Sequence, residues 1–195
     1  RRQGLLREIS GEFQALLDIK HNRIRAGVTL ARPADPALQR EIPEITQLSP
    51  EYTSSRTAVR RGTTYTTPTV TGIDPAYGDM RNIIPEPGGR FINQHDLAQR
   101  RRVAVLGDEV KKLLFGEEDA IGRQVMIGEM PFTVVGVMQH KTQNSSYNAR
   151  DQDRLFIPAS TFRSLFGDRY VNNIIYRPAD PTLSPGIEQS VYEVM

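Results

Sequence analysis

The residues that could do chemistry in this chain are few and scattered. The three histidines are His21, His95 and His140, and no cysteine accompanies them. Imidazole metal sites repeat a ligand three or four residues on, because that spacing puts both side chains on one helix face. None of the three has a second histidine or a carboxylate in a credible pair of that kind. His95-Asp96 has the order of paired ligands in some hydrolases, but such a site needs distant histidines in support. The reading preferred is that His95 starts a short helix and Asp96 caps or fixes the loop. Leu106-Gly107-Asp108 stands where a nucleotide-binding turn would stand, between a strand and a helix. A dinucleotide fingerprint needs three spaced glycines, and here only Gly107 is present. Asp108 would also repel phosphate where the helix dipole attracts it. Ser145, Ser146, Ser160 and Ser164 lack the Gly-x-Ser-x-Gly setting of a hydrolase nucleophile. Glu117-Glu118-Asp119 reads as a solvated loop. No acid, base and nucleophile can be assembled. The expectation is therefore no catalytic residue, no cofactor site and no metal site. One polar stretch, Thr142 to Asn148, sets a tyrosine among small amides, and Gln143, Asn144, Tyr147 and Asn148 are its candidate partner-contact residues.

Composition narrows the classes further. The chain has 195 residues, 38 % hydrophobic and 25 % charged, enough for one modest core or two small subdomains. Its 25 basic and 23 acidic side chains leave a net charge of +2, too balanced for a nucleic-acid binder. The basic triplet Arg100-Arg101-Arg102 reads as a solvated loop before a strand. The absence of cysteine excludes disulfides, thiol catalysis and thiolate metal sites, and it suits an oxidising compartment. No stretch approaches the ~20 apolar residues of a membrane helix, and there is no signal-peptide pattern. The chain reads as a cytosolic protein or as the soluble portion of a membrane protein.

The elements that must position these residues are legible in part. Leu5, Ile9, Phe13, Leu16 and Leu17 share one helical face. Arg23 to Leu30 is a strand candidate that leads to Arg32-Pro33-Ala34-Asp35-Pro36 and a short helix. The same pentapeptide returns as Arg177-Pro178-Ala179-Asp180-Pro181, after the strand candidate Val171 to Tyr176 and before a helix carrying Ile187, Val191 and Val194. A duplicated β-α unit whose halves pair in space would produce that pattern. Between the copies, Ile45–Leu48 and Thr57–Arg60 read as strands. Tyr65 to Ile73 reads as one threonine-rich strand after a turn at Arg61-Gly62-Thr63. Pro85 to Gly89 is a turn. Val103 to Leu106 is a buried strand. Asp108 is expected to cap a helix that turns Val110, Leu113 and Leu114 inward and ends at Gly116. Arg123 to Met138 forms a hairpin. Gln139 to Asp153 is a polar loop of about fifteen residues, long enough to be functional. Arg154 to Ile157 is a strand, and Ser160 is expected to cap a helix ending at Gly167.

Several of these pieces, in order, resemble the extracytoplasmic core domain of MacB-type ABC-transporter permeases. They are Gly88-Gly89-Arg90-Phe91 with Asp96, Val103-Ala104-Val105-Leu106-Gly107, Leu114-Phe115-Gly116, Ile121-Gly122, Phe132 to Val137, and Asp153-Arg154-Leu155-Phe156-Ile157-Pro158. They span about residues 70 to 165, and it is their order and spacing that are specific. The resemblance implies an α+β fold, with a porter-like subdomain of two β-α-β units and an inserted small α/β, Sabre-like subdomain. Residues 1–22 would be a stalk helix after a transmembrane helix. Residues 23–73 with 168–195 would form the porter-like part, and 74–167 the insert. The resemblance further implies a domain outside the cytoplasmic (inner) membrane that passes ATP-driven conformational change to an exported substrate without catalysis of its own. Its implied partners are a cytoplasmic ABC ATPase subunit or domain, a second permease protomer, and a periplasmic adaptor or outer-membrane protein, with no nucleic acid and no cofactor. The alternative is a free-standing periplasmic or secreted protein that captures a small ligand between two lobes.

Overall fold

The computed structural model describes residues 24–26, 42–140, 150–167, 171–180, 182, 186–187 and 190. The expected helix over residues 5 to 20, the first Arg-Pro-Ala-Asp-Pro copy and the loop containing Gln143, Asn144, Tyr147 and Asn148 lie outside the described residues.

Among the described residues, ten strands make one mixed sheet. In chain order they are β1 (Ile24–Ala26), β2 (Ile45–Ser54), β3 (Val59–Arg61), β4 (Thr64–Thr66), β5 (Thr69–Ile73), β6 (Val103–Leu106), β7 (Gln124–Ile127), β8 (Met130–Val137), β9 (Arg154–Pro158) and β10 (Asn173–Pro178). Across the sheet their order is β1-β10-β2-β5-β9-β6-β8-β7-β3-β4. The pairs β5–β9 and β6–β8 are parallel, and every other neighbouring pair is antiparallel. Among the described residues it is accompanied by the helices α1 (Ala76–Arg81), α2 (Gln94–Ala98), α3 (Asp108–Phe115) and α4 (Ala159–Phe166). The fold is α+β.

Strand β6 is apolar throughout because both its faces are covered. Successive side chains of a strand point to opposite faces. In β6, Ala104 and Leu106 join the larger core with Val110, Leu114 and Phe115 of α3 and Phe162 of α4, while Val105 joins Tyr77 and Met80 of α1 on the other face. In β9, Leu155 and Ile157 take the first side and Phe156 the second. Tyr77 and Phe91 each lie at a tilt against the Phe156 ring.

Several local expectations meet corrections here. Strand β2 does not stop at Leu48 but runs through Pro50 to Ser54. Pro50 is tolerated because it pairs only with Ile174 of β10, and the ladder to β5 starts one residue later at Glu51. The Tyr65–Ile73 strand is two strands. The chain breaks at Thr67-Pro68, and β4 goes to the far edge of the sheet while β5 goes to its middle. Although it falls within residues 23–73, the β3–β4 hairpin pairs with β7. Leu113 does not face inward; it is 60 % exposed, and Phe115 is the buried residue instead. Asp108 does not cap α3, because Gly107 holds the cap position and Asp108 is the first helical residue. Ser160 likewise lies inside α4, where its hydroxyl donates to the Leu97 carbonyl and ties α2 to α4. Gly116 and Gly167 end their helices as the sequence suggests. The strands that precede the two pentapeptide copies do meet: β1 pairs antiparallel with β10, Arg25 opposite Ile175.

Candidate functional site

Three charged clusters stand out, and each is assembled from elements far apart in the chain. The first lies where β2, α1, β9 and β10 meet. Glu51 of β2 is fully buried. Tyr77 donates its hydroxyl proton to Glu51 Oε2 at 2.6 Å, and the Asn173 amide donates to Oε1 at 3.0 Å. The guanidinium of the equally buried Arg154 stands 3.4 Å from the same carboxylate. Close by, Arg81 of α1 pairs with buried Asp151 at 2.7 Å. A buried charge is tolerated only when paired and hydrogen-bonded, so this network holds its strands in one relative position. Asp74, at the turn from β5 into α1, has its carboxyl pushed up to about 6 by burial.

The second cluster follows the Gly88-Gly89-Arg90-Phe91 stretch. Asp96 is fully buried and accepts two hydrogen bonds from Arg90, at 2.5 and 3.0 Å. Arg101 adds a weaker contact at 3.4 Å. Asn93 and Asp96 form a reciprocal cap on α2, each side chain accepting from the other's backbone N–H. Asp96 thus fixes the loop, as the sequence suggests, while Asn93 is the capping residue. Burial alone would raise the Asp96 carboxyl. The Arg90 and Asn93 hydrogen bonds and the charges of Arg90 and Arg101 outweigh it and hold the group below the usual carboxylate range. His95 is exposed and takes no part. The arginine triplet is divided in role: Arg101 pairs with Asp96, while Arg100 adopts a positive φ of 48° at the turn after α2.

The third cluster was not visible as a pattern. His140 Nδ1 lies 2.7 Å from Asp108 Oδ2 across a separation of 32 residues, and Glu109 stands beside them. Lys112, one turn along α3, reaches Glu109 at 2.7 Å and Asp108 at 3.6 Å. The hydrogen bond to Glu109 is the main cause that holds the lysine above its ordinary range.

The remaining candidates resolve as structural groups. Glu118 is paired with Arg61 at 2.7 Å and Arg123 at 3.2 Å, and Asp119 accepts from the Ile121 N–H. Ser164 returns its hydroxyl to the Ser160 carbonyl within α4. Gly107 is demanded by packing, since a Cβ there would lie 2.2 Å from the Gln152 carbonyl oxygen. Gln143, Asn144, Tyr147 and Asn148 lie outside the described residues. Sequence reasoning missed Glu51 and Arg154 as a pair, because their meeting depends on β2 and β9 both flanking β5.

A similar arrangement of strands and helices is found in the crystal structure of the periplasmic region of MacB from Actinobacillus actinomycetemcomitans. That match has a TM-score of 0.71 and 24 % identity, covering 86 % of this chain and 73 % of that one. The extracellular domain of the noncanonic ABC-type transporter YknZ from Gram-positive bacteria matches with a TM-score of 0.67 and 18 % identity, over 82 % of this chain and 86 % of that one. At these identities the likeness is one of fold. Among curated relatives, the macrolide export ATP-binding/permease protein MacB of Bdellovibrio bacteriovorus is 28 % identical over 205 aligned residues, covering 100 % of this chain and 31 % of the relative. The protein of the same name from Rhodospirillum rubrum is 35 % identical over 154 residues, covering 77 % of this chain and 23 % of the relative. The chain therefore spans less than a third of the length of these relatives. The family model described as the MacB-like periplasmic core domain matches residues 2–193, and the chain belongs to that family.

Proposed function

We propose that this chain is the non-catalytic extracytoplasmic domain of an ABC-transporter permease in the inner membrane, and that it transmits ATP-driven conformational change to a substrate being exported. The observation that carries the reading is the family match across residues 2–193. The relatives named for both ATP binding and permease activity support it. In this reading a cytoplasmic ABC ATPase subunit or domain hydrolyses ATP, a second permease protomer completes the transporter, and a periplasmic adaptor or outer-membrane protein meets it outside. Residues 23–73 with 168–195 form the porter-like unit, residues 74–167 the insert, and residues 1–22 the stalk. The antiparallel pairing of β1 with β10 supports a duplicated unit, and the β3–β4 hairpin reaches across to the insert through β7. The loop with Gln143, Asn144, Tyr147 and Asn148 is the proposed partner contact.

Among the described residues, the buried charges tie elements to one another and form no acid, base and nucleophile constellation. The test is made in the full-length protein. Apolar segments of about twenty residues should flank the chain in its gene. The variant Glu51→Gln, which slackens the strand junction, should lower extrusion while the assembled transporter keeps its ATPase rate. Polar flanks, or a chemical step performed by the chain itself, would overturn the reading.

A further inference from the structure

Asp108, Glu109 and His140 stand together for reasons that the fold does not explain. One ligand atom from each lies within 4.8 Å of the others. The three are an oxygen–oxygen–nitrogen donor set, which suits a borderline cation of the zinc class better than a hard cation such as magnesium. Lys112, one turn on in the same helix, is 2.7 Å from Glu109 and 3.6 Å from Asp108 and already supplies one positive charge. What points to a further cation is the state of Asp108. Its side chain is only 6 % exposed, and its Oδ2 is used by His140 and Lys112. Its Oδ1 is buried with no hydrogen-bond partner among the described residues. A buried carboxylate oxygen left unmatched calls for an ion or a water.

We propose that Asp108, Glu109 and His140 form a divalent transition-metal site that takes zinc-class ions, with the Lys112 ammonium as the internal cation that the metal displaces. The side chains are placed to allow the exchange. Lys112 is 54 % exposed and has solvent to swing into. The His140 side chain is 64 % exposed, so the ring is free to turn a nitrogen from Asp108 toward the ion. Metal–ligand lengths of about 2.0–2.2 Å set donor atoms roughly 3.0–3.5 Å apart, so the wider separations close in while the 2.7 Å His140–Asp108 pair opens, both within the reach of a glutamate and an exposed histidine. The start of α3 disfavours a cation through the helix dipole, but two carboxylates within one turn outweigh that partial charge. Binding would join the first turn of α3 to the residue that follows β8 and its bridge from Met138 to Pro85. No step of the transport reading depends on this site.

The experiment is a titration of the metal-free 195-residue chain with zinc chloride, followed by calorimetry and by thermal melting. Saturable binding of one ion per chain with a rise in Tm is expected. His140→Ala, a change at an exposed residue that leaves the core intact, should weaken binding about tenfold or more, while His95→Ala should leave it unchanged. Lys112→Met should tighten it several-fold by removing the internal competitor. No saturable zinc binding up to about 1 mM would overturn the proposal. So would equal affinity of the His140→Ala chain, or a Lys112→Met variant that binds more weakly than the parent.

Discussion

Asp74 and Asp96 both stand near the start of a short helix, and their surroundings push them in opposite directions. Burial raises the Asp74 carboxyl to about 6, so its ionised form is the disfavoured one in the folded state. Stability from this group is complete below the unfolded value near 4 and is lost as pH rises through about 6. Asp74→Asn should therefore stabilise the chain at pH 7 by up to about 3 kcal/mol, with the gain absent at pH 3.5. Chemical denaturation at the two pH values would check it. Asp96 has the opposite sign, because its arginine and backbone partners favour the charge. Its contribution is present above the unfolded value and is lost as pH falls through the lowered folded value. Asp96→Asn should cost about 2–3 kcal/mol at pH 7, and the difference from the parent should shrink in acid. A pH series of urea midpoints that stayed parallel would contradict this assignment.

At the scale of elements, two close approaches decide how helices and loops meet the sheet. A Cβ at Gly136 would lie 2.3 Å from the Arg90 carbonyl oxygen, and one at Gly107 would lie 2.2 Å from that of Gln152. Both obstacles are backbone, which cannot rotate away as a flexible side chain can. Gly107→Ala should cost about 3 kcal/mol. At Gly128, φ is 57° and nothing lies within 4 Å, so Gly128→Ala should cost only about 1 kcal/mol of backbone strain. Similar losses at the two sites, measured by thermal melting, would show that the crowding at Gly107 is not the cause. The elements themselves were partly legible in the sequence. The apolar run Val103–Leu106, the helix end at Gly116 and the hairpin over 124–137 follow from local pattern and turn chemistry. The inward turn of Leu113 and the unbroken strand over 65–73 did not hold. A helix face is chosen by what packs on it, and Pro68 breaks the strand before its neighbours are known.

For the whole molecule, the single sheet and the buried Glu51–Arg154 contact across it imply joint unfolding. Glu51→Gln removes the carboxylate charge beside a fully buried guanidinium and should cost about 3 kcal/mol. Denaturant unfolding should stay a single transition with a lower midpoint and an unchanged m-value. Two separated transitions would show that β1, β10 and β2 and the rest of the sheet unfold apart. Composition and local pattern set the class of the molecule. Its balanced charge, absent cysteines and unsupported nucleophiles argue against thiol chemistry and nucleic acid, and ordered strand and turn patterns mark the family. Those signals are local, carried by composition and by neighbours a few residues apart. Which charges meet depends on how the elements pack. Glu51 with Arg154, Arg81 with Asp151, and Asp108 with His140 are joined by strand order and helix placement, and no short-range periodicity records such pairings.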